Sequence, residues 1–153
     1  MIHYIYKNRL RGIVDMEEQI KALDCKLIIY DRKNSDKEIH VYCERIYEDR
    51  QVHQTTMRTV KDIPFNGKKV IIHLKVKRFK NTFDKTSNKK TITESFDFLN
   101  DTGRRTKRLE ESLYDLTKNQ SFSASSEYAN KFIASISRYS LVRMVLKKRN
   151  SRL

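Results

Sequence analysis

Hydrophobic and polar positions alternate most strictly in KKVIIHLKVKRFK, residues 68–80. Val70, Ile72, Leu74 and Val76 fall on one side, and Ile71, His73, Lys75 and Lys77 on the other. That two-residue period predicts a strand with one buried and one wet face. KLIIYDRK (26–33) reads as another strand. NSD (34–36) reads as a turn, since Asn and Asp bond their own backbone there. KEIHVYCERIY (37–47) sets Ile39, Val41 and Cys43 against His40 and Tyr42, which predicts a second strand and, with the first, a hairpin. MRTVKDIPFNGKKV (57–70) holds a further extended piece, then Pro64, then Asn66-Gly67, a pair that favours positive φ at both centres of a tight hairpin turn. TITESFDFL (91–99) resumes as an extended segment after a polar, lysine-studded loop. Residues 26–99 are therefore expected to be mainly antiparallel β. The first 24 residues are ambiguous, and compatible with a short helix bearing Ile13, Val14, Met16, Ile20 and Leu23 on one side and Asp15, Glu17, Glu18 and Lys21 on the other.

At Asn100 the period changes. Leu109, Leu113 and Leu116 recur at helical spacing. The serines of SFSASSEYANKFIA (121–134) suit a helix N-cap, and Ser137 suits the next one. Leu141, Val142, Val145 and Leu146 then form one apolar face, with Arg138, Tyr139, Arg143 and Lys147 away from it. The expected fold class is α+β: a small antiparallel β domain over 1–99, followed over 100–153 by three helices whose short connections fit a helix-turn-helix. No internal repeat is visible.

Charge sharpens the picture. The 33 Lys and Arg exceed the 19 Asp and Glu, for a net charge of +14. Such an excess repels itself in a compact state and points to a polyanionic partner, nucleic acid first and an anionic membrane surface second. No apolar run approaches the roughly 20 residues of a transmembrane helix, and the N-terminus lacks a signal-peptide layout, so a cytoplasmic protein with no membrane partner is expected. Cys25 and Cys43 are too few for a disulfide framework and read as a reduced pair. With 3 Gly and 1 Pro there is little room for phosphate-cradling loops, and no nucleotide-binding, nucleophile-elbow or zinc-protease motif occurs. His3, His40, His53 and His73 pair with no evident nucleophile. Neither an enzyme nor a cofactor is expected.

Three basic groups are candidates for contact with phosphate or base. From residue 138 onward there are six Arg or Lys and no Asp or Glu. Cations suit the end of a helix, which accounts for Lys147, Lys148 and Arg149, but they are disfavoured in the first turn, where Arg138 and Tyr139 sit. A helix that enters the major groove contacts bases with its N-terminal residues, so Arg138, Tyr139 and Arg143 are expected to face DNA, a solvated face being the alternative. GRRTKR (103–108) places Arg104, Arg105, Lys107 and Arg108 at a helix start, where a phosphate partner would account for them; pairing with Glu110 and Glu111 is the other explanation. Lys75, Lys77 and Lys80 either grip phosphates or protect a strand edge.

Val52-His53, Arg58, Asp62-Ile63-Pro64, Gly67, the Leu74–Phe79 run, Thr93-Glu94, the Arg104-Arg105-Thr106 cluster with Leu109, and Ser137-Arg138 occur in an order that resembles the N-terminal part of the ISL-three family of bacterial insertion-sequence transposases. The resemblance covers residues 38–148. It implies a zinc-binding β domain and a helix-turn-helix that together recognise the terminal inverted repeats of the element, with a large catalytic domain beyond. Two departures follow. The family's first CxxC is reduced to Cys43, with His40 three residues before and Ile46 three after, and its second cysteine pair falls within residues 81–87, which hold no cysteine. Structural zinc needs four N or S ligands, and His40 and Cys43 lie on opposite faces of a regular strand, so no metal is expected and the polar loop looks like a former zinc knuckle. The sequence also ends after the helices, so the family's strand-transfer chemistry is not expected of these residues.

The expectation is thus a non-catalytic, sequence-specific binder of double-stranded DNA, a regulator or end-binding factor of a mobile element. A homodimer stays open. The alternative is a protein-interaction module of a mobile element or phage acting on a host protein, with Tyr42, Tyr47 and Ile71 as its patch. RNA binding ranks lower, because no strand carries an aromatic RNP-like motif.

Overall fold

A computed structural model describes residues 16–81, 86, 88 and 90–152. The polypeptide is a mixed α+β fold. Helix α1 (16–23) precedes strands β1 (Ile28–Asn34), β2 (Glu38–Glu44), β3 (Val52–Phe65), β4 (Lys68–Lys80) and β5 (Thr91–Thr93), and helices α2 (Lys107–Thr117), α3 (Phe122–Phe132) and α4 (Arg138–Ser151) follow. The short helix left ambiguous by the sequence forms, with Met16 and Ile20 fully buried and Glu17, Glu18 and Lys21 exposed. Ile13, Val14 and Asp15 lie outside the described residues.

Both predicted hairpins form. Ser35 closes the first by donating its N–H to the Glu38 carbonyl at 2.9 Å. Asn66 and Gly67 close the second with φ of 50° and 73°. The sheet is mainly antiparallel, as expected, but it is not purely so: the strand order is β1-β2-β4-β3, and β2 runs parallel to β4. The link at 45–51 carries the chain past the far end of β4, so β3 starts opposite Phe79 and lies on β4's outer side. β4 therefore takes the centre. The physical reason is visible in its composition: its buried positions Val70, Ile72, Leu74 and Val76 are the longest run of large alternating apolar residues in the chain. β5 pairs with the last three residues of β4, beyond the reach of β2.

One face of this sheet meets α1 and a segment that departs from the extended path expected for 91–99. After Thr93 the chain turns inward, and Phe96, Phe98 and Leu99 pack on Ile39, Val41, Ile72 and Leu74. A second core, around Leu109, Leu113, Ala129, Leu141 and Val145, holds α2, α3 and α4 together. The two cores meet near residue 100. Lys61 of β3 donates to the Arg104 carbonyl at 2.9 Å and accepts from the Thr106 N–H at 3.0 Å. Ile63, also from β3, packs on the helical core.

Candidate nucleic-acid interface

α4 begins where its caps dictate. Ser137 accepts the Ser140 N–H at 3.1 Å and so satisfies a first-turn donor. Leu141, Met144 and Val145 are buried against α2 and α3, which turns the opposite face outward. Arg138, Tyr139 and Arg143 are exposed there, Tyr139 at 71%. The Arg143 guanidinium lies 5.6 Å from the Tyr139 ring centroid, so the two form one surface feature. The apolar face differs in detail from the expected one: Val142 is half-buried, Leu146 is 52% exposed, and Met144 takes their place inside.

The turn between α3 and α4 is built by a residue that no sequence motif marks. The Asn130 side chain donates to the Ile136 carbonyl at 2.8 Å and accepts the Ile136 N–H at 2.9 Å. Ser126 Oγ donates to the same carbonyl at 3.1 Å. The sheet reaches this turn through two lysines, Lys61 donating to the Ser135 carbonyl at 2.7 Å and Lys69 to the Asn130 carbonyl. Burial, followed by nearby Arg105 and Lys69, pushes the Lys61 ammonium below its usual pKa.

The 100–108 loop is equally organised. Asn100 Oδ1 accepts the N–H groups of Arg104 and Arg105 at 3.1 and 3.2 Å, and Gly103 takes φ of 67°. Thr106 caps α2 by accepting the Leu109 N–H at 3.2 Å. Of the four loop cations, Arg104 and Lys107 are exposed. Arg105 instead pairs with Glu110 at 3.2 Å, the partner named as the alternative from sequence.

Arg108 is turned inward. Its Nε donates to Asp62 Oδ1 at 2.9 Å, and it reaches the Gln19 carbonyl at 3.1 Å. Asp62 is fully buried and also accepts from Thr106 Oγ1 at 2.7 Å. A buried carboxylate needs this pairing, so Arg108 is a bolt between α1, β3 and α2 and is not free for phosphate. Lys147 bonds to Asp101, whose carboxyl is held below its usual range by that ammonium, and Lys148 bonds to Glu111. The first link places the 100–108 loop beside the second half of α4, and the second ties α2 to the same part of α4.

On the sheet, Lys75 and Lys77 do lie on the face opposite the core, but only Lys80 is exposed. Lys77 is 9% exposed, lies 3.2 Å from Glu44 and donates to the Arg45 carbonyl. Lys75 is half-buried, 3.8 Å from the same carboxylate and 4.2 Å over the Tyr30 ring. The rings proposed as an interaction patch are stacked within the fold: Tyr42 on His73 at 4.4 Å, and Tyr47 edge-on to Phe79 at 4.8 Å. His40 Nδ1 is 2.8 Å from His73 Nε2, and its Nε2 is 2.9 Å from Glu38.

These contacts bear on zinc. Both His40 nitrogens are engaged. Cys43 faces the core, where burial pushes its thiol up to about 12 and so disfavours the thiolate a metal requires. The residues do not fit a zinc site, and among the described residues no group of three or more His, Cys, Asp or Glu could hold a metal ion. Most of the loop compared with a zinc knuckle lies outside the described residues. Among those described, no helix is long and apolar enough to cross a membrane.

No protein-family model, curated protein or solved structure matches this chain.

Proposed function

We propose that this protein is a non-catalytic, sequence-specific binder of double-stranded DNA, in which α2, α3 and α4 act as a helix-turn-helix and α4 enters the major groove. The observation that carries this reading is the outward face of α4. Arg138, Tyr139 and Arg143 occupy its first turns, exposed, with no acidic residue in the first turn to balance them. A cation there opposes the helix dipole, and a DNA partner removes the conflict. Arg104, exposed on the loop that Asp101 ties to α4, and Lys107, exposed at the start of α2, supply contacts to the phosphate backbone. The β domain then acts as a rigid support, a metal-free counterpart of the zinc domain in the transposases that the sequence resembles. A regulator or end-binding factor of a mobile element fits this arrangement.

Selection of duplexes from a random pool, followed by gel shifts across a salt series, tests the reading. One motif is expected, with log affinity falling linearly against log salt. Arg138→Ala and Arg143→Ala should each cost about 1–3 kcal/mol on that motif and relax the preference, whereas Arg104→Ala should weaken all duplexes alike and lower the salt slope by about one. A flat salt response, or equal losses from every substitution, would count against it.

A protein-interaction role is the second reading. It is favoured by Tyr128 and Phe132, neighbours on α3 with ring centroids 4.9 Å apart and exposures of 47% and 56%. Binding of a purified partner that survives nuclease treatment and is abolished by Phe132→Ser would support it.

A further inference from the structure

Among the described residues, β3 has one partnered edge and one open edge. Its inner edge bonds β4 along its length. On the outer side Lys61 gives both its N–H and its carbonyl to Arg104 and Thr106. Backbone groups in a strand point alternately to its two edges. The ladder is regular from Gln54 to Asp62. The N–H and C=O of Thr55, Met57 and Thr59 therefore point the same way as those of Lys61, into solvent, and none of them has a partner among the described residues. Every residue from Val52 to Thr59 is exposed, with Val52 at 41% and Met57 at 53%.

Natural edge strands are usually blunted by lysine, proline or a bulge. Pro64 and two bulges, at Val52/Gln54 and Asp62/Phe65, are all outside the stretch 54–60. Its one charged residue, Arg58, lies across Gly103, whose backbone its guanidinium approaches so closely that an added Cβ would sit 2.8 Å from Nη1. In a chain of net charge +14, this is a local minimum of repulsion.

We propose that this edge pairs with the same edge of a second copy of the chain, antiparallel, across a two-fold axis through Met57. The open window argues for that occupant. A bulge ends it at Gln54 and the 104–106 segment closes it after Val60, so it is centred on Met57. A second copy offers a window of identical length and the complementary order: Thr55 faces Thr59 of the partner, Met57 faces Met57, and all three N–H and three C=O groups of each copy find partners. Arg58 falls opposite Thr56, so the arginines are not face to face. The contact is isologous and closes at two copies. The proposal stands apart from the DNA-binding reading and is tested without nucleic acid.

Sedimentation equilibrium of the full chain over roughly 1–500 µM, a range suited to an interface well below ~1,600 Å², should show a rise from 18.3 kDa towards twice that mass. The rise should be stronger at about 0.5 M salt, where repulsion between the copies is screened. Met57→Pro removes a donor that β4 does not use, and Met57→Lys places a charge on the axis; both should remain monomeric with unchanged far-ultraviolet circular dichroism. Should either variant misfold, Met57→Cys in a Cys25→Ser background decides, because facing residues of a bonded antiparallel pair are about 5.5 Å apart at Cα and within disulfide reach. A wild-type mass fixed at 18.3 kDa, dimers that persist in a folded Met57→Lys protein, or no disulfide-linked dimer from Met57→Cys would overturn the proposal.

Discussion

Asp62 shows how much one residue decides here. It is fully buried, and Thr106 and Arg108 converge on it from the helical side while its own strand belongs to the sheet. Replacing it by Ala leaves the guanidinium of Arg108 and the hydroxyl of Thr106 without their acceptor. Breaking a buried pair by removing one partner costs about 3 kcal/mol or more. Asp62→Ala should therefore lower the free energy of urea unfolding by about that amount, and the paired change Asp62→Ala with Arg108→Met should recover part of it. A loss below about 0.5 kcal/mol in the single variant would show that the pair is solvated and its role overstated. In the sequence Asp62 is one polar residue in an alternating strand, and Arg108 one of four cations in six. Nothing local says that they meet.

At the scale of the sheet, the wet face of β2 and β4 holds Glu38, His40, His73 and Tyr42 in one connected array. The His40–His73 bond needs an unprotonated nitrogen on one side, so both rings cannot be cationic while it lasts. Burial first, then His40, then Lys33 push the His73 pKa below its ordinary 6.5. The folded state thus binds the proton less readily than the unfolded chain. The contribution of His73 is flat above about pH 6.5 and turns unfavourable as pH falls below it. Urea midpoints should drop between pH 7.5 and 5.5, and His73→Phe, which keeps a ring in the stack, should flatten that slope. An equal slope in the variant would assign the drop to other groups. The alternation of β4 places His73 on the wet face by itself. Its partner is set by the parallel register of β2 on β4, where Tyr42 faces His73 and His40 faces Ile71.

For the whole molecule the governing quantity is the net charge of +14. Part of it is neutralised inside the fold: Lys77 by Glu44, Arg105 by Glu110, Arg108 by Asp62. The exposed remainder includes Arg104, Lys107, Arg138 and Arg143. Self-repulsion of that remainder should make stability rise with salt, as screening reduces it. The melting temperature should increase by several degrees between about 20 and 300 mM NaCl, and a short duplex at low salt should raise it further by mass action. A melting temperature that falls with salt would mean that favourable ion pairs outweigh the repulsion.

What the residues determine alone is local. The β4 alternation assigns its faces, Asn66-Gly67 makes the tight turn, Ser121 and Ser137 start helices, and Arg138, Tyr139 and Arg143 fall on the polar side of α4. Each follows from period, φ or capping within a few residues. Tertiary structure alone decides that β4 lies between β2 and β3, that Asn130 builds the α3–α4 turn, that Lys77 and Arg108 are committed within the fold, and that the β3 edge around Met57 has no backbone partner among the described residues. Those outcomes depend on which distant backbone or carboxylate comes within hydrogen-bonding range, and periodicity carries no information about sequence-remote neighbours.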